Sequence, residues 1–310
     1  MSNEIKPLTE DQKRMIFKSY EEHSTWTLEK TIKEGEKFFR NIVAVPITLI
    51  GLICFILSRN IVISLVIIIC GLIIGIIAGK LEIRKSKNSV GNVGEIERTE
   101  GYTQRWFDEA YNNRQKEGTA REQTVTIGLV YCLCGNYTAA LEELKTIDPS
   151  IYSRAPSGGH MYYTALLSAY LISGDLDHAA DTFNKGFYYL NTYKNSPLYG
   201  AHVSLALGMY ENFCGHYDVS LQLLDNGMRV HHSDLRPENR LPDENMTSMI
   251  CYWKAVNFFA MGDKASAWEM INSCKGLYKT PYYEQLSQKL LDDMAKEANH
   301  KNVDNIEDLF

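Results

Sequence analysis

The side chains best suited to chemistry in this chain of 310 residues are its seven cysteines and eight histidines, and their spacing decides what they can do. Cys54 and Cys70 fall in apolar runs, while Cys132, Cys134, Cys214, Cys251 and Cys274 fall in helical patterns. A structural zinc site takes its ligands from paired CxxC or similar knuckles, and no such pair is present. Scattered thiols of this kind behave as small hydrophobes where the compartment is reducing. His231 and His232 adjoin in a long loop, and His160, His178, His202 and His216 stand alone. None begins the HExxH spacing that puts two imidazoles on one helix face. Ser157, Gly158 and Gly159 have no strand before them to build a phosphate cradle, and neither a GxSxG elbow nor a dinucleotide fingerprint occurs. The residues therefore predict no catalytic site, no cofactor and no metal. A net charge of −6 argues against nucleic acid as a partner, since such binders carry a basic face.

The elements that would position any site begin with a membrane segment. A mean hydropathy of −0.24 matches a soluble globular chain, yet residues 42–79 contain one charge, Arg59. Two apolar runs, expected as spans over 42–58 and 61–79, flank the turn at Ser58, Arg59 and Asn60. Helices of this length reach about 24 and 28 Å at a rise of 1.5 Å per residue, slightly short of a bilayer but usable with local thinning. Neither run has a polar face, which is the condition a membrane helix meets and a soluble hairpin does not. Lys30, Lys33, Lys37 and Arg40 precede the first run, and Lys80, Arg84, Lys85 and Lys87 follow the second. The positive-inside rule then puts both termini in the cytoplasm. Gly71, Gly75 and Gly79 recur at spacing four along the second run, a strip that permits close helix packing. It serves either packing against the first span or association with a second copy or another membrane protein. Before the membrane, Thr9 and Gln12 form a capping-box pattern that opens a helix, expected to lie on the bilayer or to pack on the C-terminal region. Residues 1–99 hold 14 basic and 11 acidic side chains, residues 100–310 18 and 27, so the acidic excess belongs to the part beyond the membrane.

Beyond residue 120 the chain repeats itself. Four segments align on Gly135, Gly174, Gly215 and Gly262, with Ala140, Ala179, Ser220 and Ala267 five positions on and Leu144, Phe183, Leu224 and Ile271 nine positions on. Seven positions before the glycines stand Gly128, Leu167, Gly208 and Ala255; four before stand Tyr131, Tyr170, Glu211 and Phe258. Leu167 and Glu211 depart from the small and aromatic types of their columns. Glycine suits a tight connection, and small residues at facing positions let antiparallel helices close together. This pattern resembles the tetratricopeptide repeat (TPR) family over about residues 121–275. The spacings of 39, 41 and 47 between the glycines exceed the 34 of that family, so the resemblance implies an irregular solenoid with protruding loops. Gly186 and Gly227 are expected as C-caps of second helices, and Asp148 with Pro149 as the stop of the first. Helices are also expected over 103–116 and 282–297.

In TPR proteins the first helix of each pair lines a concave groove. Carried onto this sequence, the resemblance assigns to it Glu122, Val125, Leu129 and Cys132, then Met161, Thr164, Ser168 and Leu171, then His202, Leu205, Met209 and Asn212, then Met249, Tyr252, Val256 and Phe259. Only Asn212 matches the basic and amide set that clamps a terminal carboxylate. A Met-rich apolar lining suits a helix or extended peptide of a protein partner, unless the chain fills the groove itself.

The sequence thus predicts an all-α protein: an N-terminal cytoplasmic helical segment (1–41), a two-helix transmembrane hairpin (42–79), a linker (80–100), a TPR-like α-solenoid of about four irregular helix pairs (101–297) and an acidic tail (298–310). Its expected role is that of a membrane-anchored scaffold for protein partners at the cytoplasmic face. The alternative is a non-catalytic subunit of a membrane complex that docks through the hairpin. Protease added outside intact cells is expected to leave the repeat region uncut; release of repeat fragments would overturn the orientation.

Overall fold

The computed structural model describes residues 8–24, 69, 93, 96–97, 99–115, 120–233, 244–278 and 280–300. The chain divides into two units, Met1–Thr25 with Glu100–Phe310, and Trp26–Thr99. Of the second unit only Ile69, Val93, Ile96, Glu97 and Thr99 are among the described residues. The expected hairpin, with Gly71, Gly75 and Gly79, therefore lies outside them apart from Ile69, as do residues 301–310 of the expected tail. Among the described residues no helix is long and apolar enough to cross a membrane.

The first unit is helical throughout, with no strand among the described residues. Its elements are α1 (Glu10–Ser24), α2 (Gln104–Arg114), α3 (Ala120–Leu133), α4 (Tyr137–Leu144), α5 (Ser150–Arg154), α6 (Gly159–Ser173), α7 (Leu176–Tyr193), α8 (Gly200–Phe213), α9 (Tyr217–His232), α10 (Glu244–Ala260), α11 (Lys264–Ser273) and α12 (Pro281–His300). The repeat glycines join α3 to α4, α6 to α7, α8 to α9 and α10 to α11.

One hydrogen-bonded turn recurs at all four junctions. Gly135, Gly174, Gly215 and Gly262 have φ of 76°, 76°, 79° and 84°, in the left-handed region that costs other residues about 1–2 kcal/mol. Each glycine N–H donates to the carbonyl three residues back, and the next N–H to the carbonyl five back: Gly135 to Cys132 and Asn136 to Tyr131, Gly174 to Leu171 and Asp175 to Tyr170, Gly215 to Asn212 and His216 to Glu211, Gly262 to Phe259 and Asp263 to Phe258. These are Schellman closures, which satisfy the last carbonyls of the first helix. The residue after the glycine then starts the second helix. Asn136, Asp175 and Asp263 accept from the N–H groups of Ala139, His178 and Ser266 at 3.2, 3.2 and 3.1 Å, caps worth about 1 kcal/mol each. His216 makes no such cap.

The aligned small and large columns meet across each pair. Ala140, Ala179, Ser220 and Ala267 are all fully buried. A Cβ on Gly128 would lie 2.7 Å from Leu144 Cγ, and one on Gly208 2.9 Å from Leu224 Cδ2, so the glycine makes the socket for the leucine. The second pair departs from this because Leu167 fills the small position and is itself fully buried. Phe183 is only partly buried and stacks instead on Tyr210 of the next pair, with centroids 4.3 Å apart and planes 12° from parallel.

Gly186 and Gly227 are not C-caps. They lie inside α7 and α9, where a Cβ would come within 2.7 Å of Tyr163 and 3.1 Å of Ser204; both are close-approach residues. Asp148 and Pro149 do not stop a helix either. α4 has already ended at Leu144 with Lys145 as its cap, and Asp148 instead accepts from Ser150 N–H at 2.9 Å as α5 begins. The N-terminal capping box is formed: Thr9 N–H donates to Gln12 Oε1 at 2.8 Å and Gln12 N–H to Thr9 Oγ1 at 3.3 Å. α1 packs on α7, burying Ile16 and Ser19, with Tyr193 donating its hydroxyl to Ser19 Oγ at 3.0 Å. α2 is tied to the first pair by Tyr111, which donates to Glu143 at 2.8 Å, and by Arg114, which meets the same carboxylate at 2.6 Å.

A buried amide joins the third and fourth pairs. Asn257, fully buried on α10, donates to Ser220 Oγ at 2.9 Å and to the Trp253 carbonyl at 2.8 Å, and accepts from Asn212 Nδ2 at 3.0 Å. Removing it strands the Asn212 amide. Asn257→Ala is expected to lower the unfolding free energy of the full chain by about 1–3 kcal/mol in a urea titration followed by circular dichroism; an unchanged midpoint would show the network contributes nothing.

Candidate functional site

The residues expected to line the groove lie on α3, α6, α8 and α10, and the interior takes most of them. Val125, Leu129, Thr164, Leu205, Met209, Met249 and Tyr252 are buried. Cys132, Ser168 and Leu171 are buried too, Met161, His202, Asn212, Val256 and Phe259 are partly buried, and Glu122 is exposed. Of the two alternatives, an open groove and a face the chain fills itself, this burial agrees with the second.

The first helices pack on one another, and the chain's own C-terminal helix, packed on α10 and α11, adds to the cover. Tyr283, Ser287, Leu290 and Met294 recur at helical spacing along α12, and all four are buried. The adjacent residues Tyr282 and Tyr283 reach opposite ends of the repeat array. A Cβ on Gly135, at the first turn, would overlap the Tyr282 ring. Tyr283 belongs with the fourth pair: its hydroxyl accepts from Trp253 Nε1 at 3.3 Å, and its ring stands edge-on to Tyr252, centroids 5.6 Å apart. One continuous cluster of buried residues consequently runs from Val125 on α3 through Met209 and Met249 to Met294. Burying an aliphatic or aromatic side chain of this size gains about 1.5–3 kcal/mol, so an uncovered face would be unfavourable and the cover removes that cost. The apolar period in residues 282–297 was the available signal for this docking, but a capping helix and a groove-filling helix share that pattern.

Exposed apolar groups occur on α1, α5 and α7, at Met15, Phe17, Ile151 and Phe187, and along the edge formed by the turns. Tyr137 and Leu176, each two residues past a turn glycine, are exposed, as are Phe213, Val219 and Met261 around the third and fourth turns. Gly215, His216, Tyr217, Asp218, Val219 and Met261 line one shallow concavity there. Its surroundings are acidic. Asp218 lines it, Glu211 pairs with His216 at 2.8 Å, and Asp263 follows Met261 by two residues; Asp175 and Asp263 are N-caps at the second and fourth turns. The Asp175 carboxyl is held below its usual range by hydrogen bonds from the His178 ring and backbone, and Asp263 by those from Ser266. Both therefore stay charged at neutral pH.

The chemical candidates find structural roles. His160 is buried with its ring stacked on Tyr193, centroids 3.8 Å apart. His178 pairs with Asp175 at 2.8 Å. Burial, with hydrogen bonds to Tyr131 and Glu143, pushes the Tyr111 hydroxyl far above its ordinary range, so it remains protonated and serves as a donor. Among the described residues no group of three or more His, Cys, Asp or Glu could hold a metal ion. No protein-family model, curated protein or solved structure matches the chain.

Gly135 and Gly174 separate the turn from the cover. Both need the left-handed backbone, but a Cβ on Gly174 would meet nothing within 4 Å. Gly174→Ala is expected to cost about 1–2 kcal/mol from backbone strain. Gly135→Ala should cost more and expose α12 to limited proteolysis, because it also displaces Tyr282. Equal losses with α12 equally protected would show that Tyr282 does not hold the helix.

Proposed function

We propose that this chain is a membrane-anchored scaffold of TPR-like helix pairs that gathers protein partners at the cytoplasmic face. The observation that carries the reading is the recurrence of one turn geometry at Gly135, Gly174, Gly215 and Gly262, since a stack of equivalent helix pairs offers an extended protein-binding surface. The apolar stretch 42–79 with its flanking cations supports the membrane anchor. With the first-helix face largely buried, the partner surface in this reading is the turn edge around Tyr217, Val219 and Met261. Its exposed apolar groups beside Asp218 and Asp263 suit a partner segment with an apolar anchor next to basic residues.

The spacing of Gly71, Gly75 and Gly79 favours a second reading, in which the second span docks on another membrane protein, or on a second copy, and the chain is an accessory subunit. Affinity capture from detergent extracts distinguishes the two. The scaffold reading expects Val219→Asp with Met261→Asp to lose partners at least tenfold in recovery while the helical fold persists. Partners kept by that variant but lost when the three glycines become Leu would establish the second reading in its place.

A further inference from the structure

The repeat register brings one more pair of positions face to face. In the second and third pairs the residue eleven before the turn glycine lies against the residue twelve after it. In the second pair these are Tyr163 and Gly186, where a Cβ on the glycine would stand 2.7 Å from Tyr163 Cβ. In the third they are Ser204 and Gly227, with a corresponding distance of 3.1 Å. In the fourth pair the same two positions are both cysteines, Cys251 on α10 and Cys274 at the end of α11. A disulfide needs Cβ atoms about 3.5–4.5 Å apart, and the shorter separations at Gly186 and Gly227 show that this register brings the two helices at least that near.

The repeat register sets the two thiols facing each other. Both are free and buried, Cys251 at 8% exposure and Cys274 at 1%, and each perturbs the titration of the other. Ser273 Oγ lies 3.6 Å from Cys274 Sγ. The other groups facing the pair are Lys254, one turn along α10 and bonded to Asp225 at 2.8 Å, and Tyr278 in the connection to α12.

We propose that Cys251 and Cys274 form a redox-active dithiol that hydrogen peroxide closes into a disulfide. Cys251 is the attacking sulfur. The interaction with Cys274 and the charge of Lys254 hold its thiol below the ordinary range against the opposing effect of burial, while that same interaction and burial push Cys274 up. The Cys251 thiolate attacks one peroxide oxygen, the O–O bond breaks and hydroxide leaves, giving a sulfenic acid. The Cys274 sulfur then attacks Cys251 Sγ. The S–O bond breaks, the S–S bond forms, and the departing hydroxide takes the Cys274 proton as water. The two sulfurs together lose two electrons to the peroxide. Shielding restricts the site to a small oxidant. Cys214, the exposed thiol, has no such partner among the described cysteines.

The test is mass spectrometry of the full chain, reduced, exposed to hydrogen peroxide, alkylated after unfolding and digested without reductant. The expected product is a peptide pair linking Cys251 to Cys274, two hydrogens lighter than the reduced pair and lost on treatment with dithiothreitol. In Cys274→Ser the sulfenic acid on Cys251 should persist and react with dimedone. Recovery of both residues as alkylated thiols under conditions that oxidise Cys214 would overturn the proposal. So would linkage of either to a different cysteine. The unsubstituted protein decides the outcome, so it does not depend on how the serine variant folds.

Discussion

A left-handed glycine closes the first helix of each pair and, one residue later, opens the second, so a single backbone constraint sets the phase of both. From that phase the rest of each pair follows. The position seven before the glycine must face the position nine after it, and a glycine at 128 or 208 leaves room for Leu144 or Leu224. Four junctions share the same hydrogen bonds although their intervening loops differ in length, because a Schellman closure needs only the last turn of one helix and the next residue.

The constraint also explains where the array tolerates variation. Leu167 occupies a position where glycine or alanine stands in the other pairs, and the structure adjusts by moving Phe183 out of the pair and onto Tyr210. In the same pair Gly186 provides space against Tyr163 farther from the turn. Close approach is preserved at a shifted place, which accords with interiors packed to near-crystalline density.

Covering the first-helix face is a property of the whole unit. Seen alone, Met209, Met249 and Tyr252 look like a lining for an apolar ligand, since ligand-binding and core side chains have the same composition. The distinction depends on whether another element of the chain can reach them. Tyr282 at the first turn and Tyr283 beside Trp253 and Tyr252 bring α12 across that face. Apolar groups remain exposed where the turns end, at Tyr137, Leu176, Phe213, Val219 and Met261, as well as on α1, α5 and α7.

The sequence by itself determined the all-helical class, the four turn positions, the facing columns and the N-terminal capping box, because each rests on sterics and hydrogen bonds among residues a few positions apart. The roles of Gly186 and Gly227 were not legible in it. A glycine near a helix end reads as a cap until the neighbouring helix is seen to press against it. The burial of the first-helix face was likewise decided only by tertiary structure: the contact between Gly135 and Tyr282 joins residues distant in the chain, and only the curvature of the stacked pairs brings them together. Local chemistry sets where the helices turn, and the long-range burial of apolar surface decides which of their faces water can reach.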